Sequence, residues 1–315
     1  MRSAIAVWLG SALMTFCFVA QSHSADFPEW AYPANPPAGA FDATVLKQVP
    51  GSAKQFTQAQ IEDDFNPPDW FPQDHPTMPP VVAVGIPPAV KACSKCHVTN
   101  GAGHPESSDL AGLPVAYIER QMAELKNGNR KGARAGSMFP IAKAISDADL
   151  RVAAEYYAAL PPKEWTKVIE TDAVAKTRLG TGGMRFVVEN GGTEAIGNRI
   201  IELPQEPERA ELRDSRFGFV AYVPTGSVAK GKALVITGND GKTVACSTCH
   251  GDNLKGKDEV PHIGGRSPMY VFRQLNDVKV GKRAGPPSEL MQQVVAKLDQ
   301  DDMLAIAAYL ATLKP

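Results

Sequence analysis

A five-residue string, Cys93-Ser94-Lys95-Cys96-His97, returns as Cys246-Ser247-Thr248-Cys249-His250, 153 positions further on. The same offset continues without a gap. Asn100 matches Asn253, Gly103 matches Gly256, Gly112 matches Gly265, and Tyr117 matches Tyr270. Gln121, Gly128, Arg130 and Met138 match Gln274, Gly281, Arg283 and Met291; Asp149, Tyr156 and Leu160 match Asp302, Tyr309 and Leu313. A long period present in only two copies points to a duplicated globular domain and not to a solenoid. Length agrees, since 315 residues suit about two domains of ordinary size.

The copies occupy only part of the chain. Residues 1–25 read as an export signal: Arg2 supplies a positive start, Ala4 to Ala20 an apolar run, and Ser22, Ser24 and Ala25 small residues for cleavage. The competing reading is an uncleaved anchor facing the same compartment, but the run is short for a spanning helix. Phe16 before Cys17 argues against a lipoprotein signal. Residues 26–90 form a Pro- and Trp-rich segment, 91–162 the first copy, 163–227 a connecting segment and 228–315 the second copy. A formal net charge of -1 gives no field for nucleic acid or an anionic membrane, so neither is assigned as a partner. With Cys17 inside the signal, Cys93, Cys96, Cys246 and Cys249 are the cysteines left, all within the two C-x-x-C pairs.

C-x-x-C-H is the signature of covalent haem attachment. The thiols add to the two vinyl groups as thioethers, and the adjacent histidine offers a ring nitrogen to the iron. A redox-active C-x-x-C has no need of the histidine. A four-cysteine zinc site leaves both histidines unexplained and requires distant pairs to converge. The expected cofactors are therefore two covalently bound haem c groups, on Cys93, Cys96 and His97 and on Cys246, Cys249 and His250.

A six-coordinate iron needs a second axial ligand, and the repeat selects it. Met138 and Met291 each lie 41 residues after their histidine, and no other methionine holds the same place in both copies. Methionine sulfur favours the ferrous state. The expected iron ligands are His97 with Met138 and His250 with Met291. The rivals are Met122 and His104 in the first copy, and Met269, Met303 and His262 in the second. Met303 falls with Ile306, Ala307 and Leu310 on one helix face, and Met122 falls likewise with Ile118 and Leu125.

Helix signals surround these residues. Ser267, Pro268 and Gly281 frame one helix, and its partner runs from about Pro114 to Gly128. Ser146 with Asp149 and Asp299 with Asp302 resemble capping boxes opening the last helix of each copy. Tyr156 and Tyr309 are expected to pack on an N-terminal helix of their domain. In the second copy that helix is Val228 to Ile236; in the first, Pro79, Pro80, Pro87 and Pro88 interrupt the matching stretch. Arg185–Val188 and Phe217–Val223 read as short β runs in the connection.

Together, C-x-x-C-H, the Leu110-Ala111-Gly112 and Ile263-Gly264-Gly265 steps, a helix ending in Gly-x-Arg, and a methionine before a final amphipathic helix resemble class I cytochromes c. In tandem they resemble the dihaem cytochrome c4 type. The resemblance covers 91–162 and 228–315. It implies a mainly α fold: two cytochrome c-like haem domains, with irregular and β-containing N-terminal and connecting segments. It implies electron transfer by a soluble or peripherally membrane-held protein between redox partners, a donor dehydrogenase or cytochrome complex and a terminal oxidase or reductase. It places a proline carbonyl on the proximal histidine, a role Pro261 fits in the second domain; Ser108 at the first domain's matching position puts that bond in doubt. It also sends Arg130 and Arg283 toward haem propionates, against the plain alternative of solvated arginines.

The segments 26–90 and 163–227 depart from the pattern, and a structureless connection this long is unusual inside a compact protein. They are expected either to wrap the haem domains or dock a partner, or simply to tie the domains together. Three functions follow. The first is a periplasmic electron shuttle without catalysis of its own. The second is the electron-accepting subunit of a periplasmic dehydrogenase. The third, favoured least, is a catalytic dihaem enzyme with His104 or His262 as a distal group.

Overall fold

The computed structural model describes residues 27–34, 36, 42–132 and 135–315. The expected export signal, with Cys17, lies outside the described residues. No helix among them is long and apolar enough to cross a membrane.

The chain enters along residues 42–71 with a small antiparallel pair, Leu46–Lys47 on Phe56–Thr57, and helix α1, Gln58–Glu62. The first copy follows as α2 (Pro80–Ala83), α3 (Cys93–His97), α4 (Val115–Asn127), α5 (Met138–Ala144) and α6 (Asp147–Ala159). The connection is structured. Strand 166–170 pairs in parallel with 219–223, which pairs antiparallel with 201–204; two further hairpin-like pairs and α7 (Pro207–Glu211) complete it. Strands 185–187 and 219–223 fall within the two runs read as β. The second copy is α8 (Ser227–Thr237), α9 (Ser247–His250), α10 (Pro268–Lys279), α11 (Pro286–Val295) and α12 (Gln300–Ala311).

The helix ends follow local chemistry. At α10, Ser267 Oγ accepts from Tyr270 N at 3.2 Å and Pro268 occupies the first turn. α4 stops at Gly128, whose φ of +79° lies in the left-handed region glycine tolerates. The box at α12 is complete, with Asp299 and Asp302 each accepting the other's backbone N–H. At α6 only half forms. Ser146 Oγ accepts from Asp149 N, but its own hydroxyl donates to Asp149 Oδ2 at 2.5 Å, and that carboxylate does not return to the backbone.

The two cores share a register. α8 packs along α12 and seals Leu234 and Val235, both fully buried. In the first copy the prolines leave only the four residues of α2. Yet Val81 and Val82, at the positions matching Leu234 and Val235, are equally buried. Each such side chain removed from water contributes about 1.5–3 kcal/mol, enough to hold the position even where the helix is broken. Tyr156 shares one core cluster with Val81 and Val82 of α2, and it also donates its hydroxyl to Thr99 O at 2.7 Å and meets the His75 ring edge-on.

Candidate haem sites and their interface

Each attachment string forms one helical turn, α3 or α9, placing the cysteines and the histidine together on a short rigid element. Behind each histidine the geometry repeats. His97 Nδ1 is 2.7 Å from Ser108 O, and His250 Nδ1 is 2.8 Å from Pro261 O. The doubt about the first copy is thereby corrected. The acceptor is a backbone carbonyl, which serine carries as well as proline, so the side chain at that position does not decide the bond. With Nδ1 engaged, Nε2 is the nitrogen left to bind metal. Burial is the largest influence on both imidazoles and pushes both below the ordinary histidine range, so both are neutral near pH 7.

The second copy encloses a cavity of about 250 Å³. Cys246, Cys249, His250, Pro261, Met291 and Arg283 all contribute to its wall, with apolar Val271, Val278, Leu298, Ile306 and Leu310. Met269, Met303 and His262 do not line it. Met269 and Met303 are fully buried in the helix-packing core, and His262 turns toward the other domain. In the first copy, Met138 opens α5 and packs, as Cys93 does, against the first core, while Met122 sits on the buried face of α4.

The cysteines carry a second message. Burial pushes the Cys93 thiol up to about 12 and the Cys246 thiol up to about 11. A redox-active C-x-x-C needs the opposite, a depressed thiol pKa. Among the described residues, no group of three or more His, Cys, Asp or Glu is placed to hold a metal ion, which removes the four-cysteine zinc reading. A cysteine pair and a neutral histidine beside an apolar slot with a facing methionine fit haem.

The domains meet across a reciprocal polar layer. Arg130 donates to Gln121 Oε1 (3.1 Å), Tyr270 Oη (3.2 Å) and Gln274 Oε1 (3.2 Å). Arg283 answers with Gln274 Oε1 (3.1 Å), Tyr117 Oη (3.0 Å) and Gln121 Oε1 (2.9 Å). The two arginines also face each other as a backbone bridge, flanked by Lys131 N to Lys282 O and Ala284 N to Asn129 O. Tyrosine, glutamine and arginine from one copy thus meet the same three of the other about a local two-fold. Burial pushes the Tyr270 phenol up, but Arg130, Arg266 and Arg283 outweigh it and hold it at about 8. Arg283 lines the second cavity, and Arg130 lies beside it across the bridge.

Sequence reasoning missed Arg266 and Asp109. Arg266 is buried, lines the second cavity and pairs with Asp109 of the first domain at 2.5 Å. Neither falls on a matched position of the repeat. That mismatch was the available signal.

Two small helical lobes, each with its C-x-x-C-H turn and buried histidine, define a tandem haem-binding protein. Comparison with known proteins agrees. Residues 228–314 match the family model described as cytochrome c. Cytochrome c-554(548) of Halomonas halodenitrificans is 36% identical over 69 residues, 22% of this chain and 83% of that protein. Cytochrome c4 of Azotobacter vinelandii is 26% identical over 231 residues, 70% of this chain and 84% of its own. The thiosulfate dehydrogenase electron acceptor of Thiomonas intermedia is 27% identical over 237 residues, 74% and 83%. The chain belongs to the cytochrome c family. It is a dihaem, c4-like member that binds haem c covalently and transfers electrons.

Proposed function

We propose that the protein is a periplasmic shuttle taking electrons from a donor dehydrogenase or respiratory complex and passing them to a terminal oxidase or reductase. The observation that carries this reading is the second cavity, where both cysteines, His250 and Met291 converge and the rival ligands do not. Bound haem supplies a one-electron couple. The chain does the rest: Cys93, Cys96, Cys246 and Cys249 anchor, and His97 and His250 present Nε2 with Nδ1 tied to a carbonyl. With haem bound, Met138 and Met291 would supply the second iron ligands, and Arg130 and Arg283 supply positive charge between the lobes. Iron held by two side chains in each lobe would leave no place for a substrate, which supports transfer over catalysis. The apolar run at 4–20 supports export.

A second reading, the electron-accepting subunit of a dehydrogenase complex, draws support from two relatives named thiosulfate dehydrogenase electron acceptor. Spectroelectrochemical titration of the mature protein tests the ligand set. Two haems are expected, and Met138→Ala and Met291→Ala should each abolish the methionine-sulfur band of one oxidised haem. Both bands surviving either change would refute it. A dehydrogenase recovered stoichiometrically from the periplasm favours the subunit reading; rapid cyanide binding at neutral pH would overturn both in favour of catalysis.

A further inference from the structure

The repeat makes the interface nearly symmetric in charge. Arg130 and Arg283 hold matching positions, as do Arg120 and Arg273, and Glu124 and Asp277. One buried pair breaks the rule. Asp109 matches His262, and Arg266 matches Leu113.

The odd pair sits behind the two proximal histidines. Asp109 follows Ser108, whose carbonyl takes the His97 hydrogen bond. His262 follows Pro261, which does the same for His250, and its Nε2 lies 3.8 Å from Asp109 Oδ2. Arg266 is 4% exposed. Its Nη2 donates to Ser108 Oγ and to Asp109 O, both at 2.9 Å, and pairs with Asp109 Oδ1. The guanidinium also stands over the Tyr270 ring at 5.0 Å and lines the wall that carries His250. An anion is thus fixed one residue from the first site's proximal acceptor, and a cation on the wall of the second site. Burial pushes the Asp109 carboxyl up, but Arg266 and His262 together outweigh it and hold the group ionised.

An oxidised haem carries one more positive charge than a reduced one. A nearby anion therefore favours oxidation, and a nearby cation favours reduction. At a distance the two charges of an ion pair largely cancel, so each acts mainly on the site it adjoins. Inside the protein the effect is screened far less than at the surface. Charges in matching positions act in the same sense on the two sites and largely offset one another in the difference.

We infer that the Arg266–Asp109 ion pair sets the two haems apart, lowering the midpoint of the first and raising that of the second, so that an electron arriving at the first lobe passes to the second. These are positioning residues. They act through the field and through the clamp on the 108–109 backbone, without contact to the reacting partners. The inference rests on the two-haem reading above.

The test is redox titration of the full-length dihaem protein, with Met138→His and Met291→His assigning each step to its lobe. Asp109→Asn should raise the first-lobe step, and Arg266→Gln should lower the second-lobe step. Either change should reduce the equilibrium constant for passing an electron from first lobe to second by roughly five- to tenfold. Arg266→Lys keeps the charge and should restore the second-lobe step. The double variant Asp109→Asn, Arg266→Gln leaves no unpaired buried charge and should bring the two steps together. A merely structural role would move both steps alike in every variant. That outcome, or a double variant with the original separation, overturns the inference. Should Met138→His shift neither step, the ligand reading fails separately.

Discussion

The two attachment turns have almost the same sequence and very different surroundings. Around α3 the additional segments close in. Lys95, 5% exposed, donates from Nζ to Ile61 O at 2.8 Å; Arg213 donates to Lys95 O at 3.0 Å; Asn100 donates to Ser215 O at 2.7 Å. Trp165 Nε1 reaches Gly103 O, and Ala92 N reaches Asp64 O. Around α9 none of these partners has an equivalent among the described residues. Thr248 and Cys249 are exposed, and Val244 and Leu290 stand 47% and 68% exposed at the cavity rim. The matching rim positions in the first copy are Lys91, paired with Asp64 at 2.7 Å, and Ser137. The attachment turn and the carbonyl behind its histidine recur in both copies. The segments 42–71 and 212–218 replace solvent around α3 and not around α9, so the copies differ in what covers them more than in what they hold.

The largest contrast lies in how each copy closes its core. Gly231 in α8 lies so near α12 that a β-carbon there would run into the Ala305 carbonyl and the Tyr309 side chain. Gly231→Val should destabilise the second lobe by about 3 kcal/mol, read as a lower denaturant midpoint for loss of its haem signal. The matching residue, Met78, already carries a side chain packed half-buried against the first core, and Met78→Val should cost less than about 1.5 kcal/mol. Equal losses would mean that the broken helix of the first copy packs as the intact one does.

Next comes the attachment turn itself. Lys95→Ala leaves the Ile61 carbonyl with only the longer bond from Arg213 Nε at 3.3 Å and empties a buried site, and a loss of about 2 kcal/mol in thermal or urea unfolding is expected. Thr248→Ala, at the open counterpart, should fall within about 0.5 kcal/mol of the parent. A Lys95 variant as stable as the Thr248 variant would show that the cover over the first lobe contributes no stability.

The helices and haem strings were legible because each is marked locally. Ser267-Pro268 announces α10, Gly128 and Gly281 announce stops, and the offset pairs Met138 with Met291 over nearer rivals. What covers the first lobe was not legible. Lys95 reads as a surface lysine, and its burial depends on Ile61 and Arg213, far away along the chain. The same holds for Arg266, which acquires meaning only when the lobes face each other and Asp109 arrives from the first. The Ser108 acceptor was misjudged for a different reason. Sequence displays side chains, and the bond uses the backbone.

Connecting-segment cover also reaches the second lobe, where Ile200 and Val223 join its core, Glu170 accepts from Val228 N at 2.8 Å, and a second acid ties down the start of α10. Glu202 accepts from Thr166 Oγ1 (3.1 Å), Ser267 Oγ (2.7 Å) and Met269 N (3.4 Å), tying strand 201–204 to the start of α10. The matching start of α4 at Pro114 has no side-chain cap. Burial outweighs these donors and pushes the Glu202 carboxyl up to about 7. A raised carboxyl binds its proton more tightly folded than unfolded. Its contribution is therefore complete below the unfolded value near 4.5 and is lost as pH rises through about 7. Stability should fall by about 3 kcal/mol across that window, and Glu202→Gln should flatten the slope. An unchanged slope would place its origin elsewhere.

The smallest expected effect tests the closest likeness between the copies. If the proximal bond depends only on a carbonyl, the residue that carries it is interchangeable. Ser108→Ala keeps the carbonyl 2.7 Å from His97 Nδ1 and removes only the hydroxyl, which accepts from Arg266 and donates to Asp109 O. Arg266 retains the Asp109 carboxylate and backbone oxygen, so the clamp loses one of several bonds. A cost of about 0.5–1 kcal/mol in unfolding is expected, with the first-lobe midpoint and haem absorption unmoved. A shifted midpoint would make the hydroxyl part of the proximal bond. The two lobes would then differ behind the histidine as well as around the cysteines.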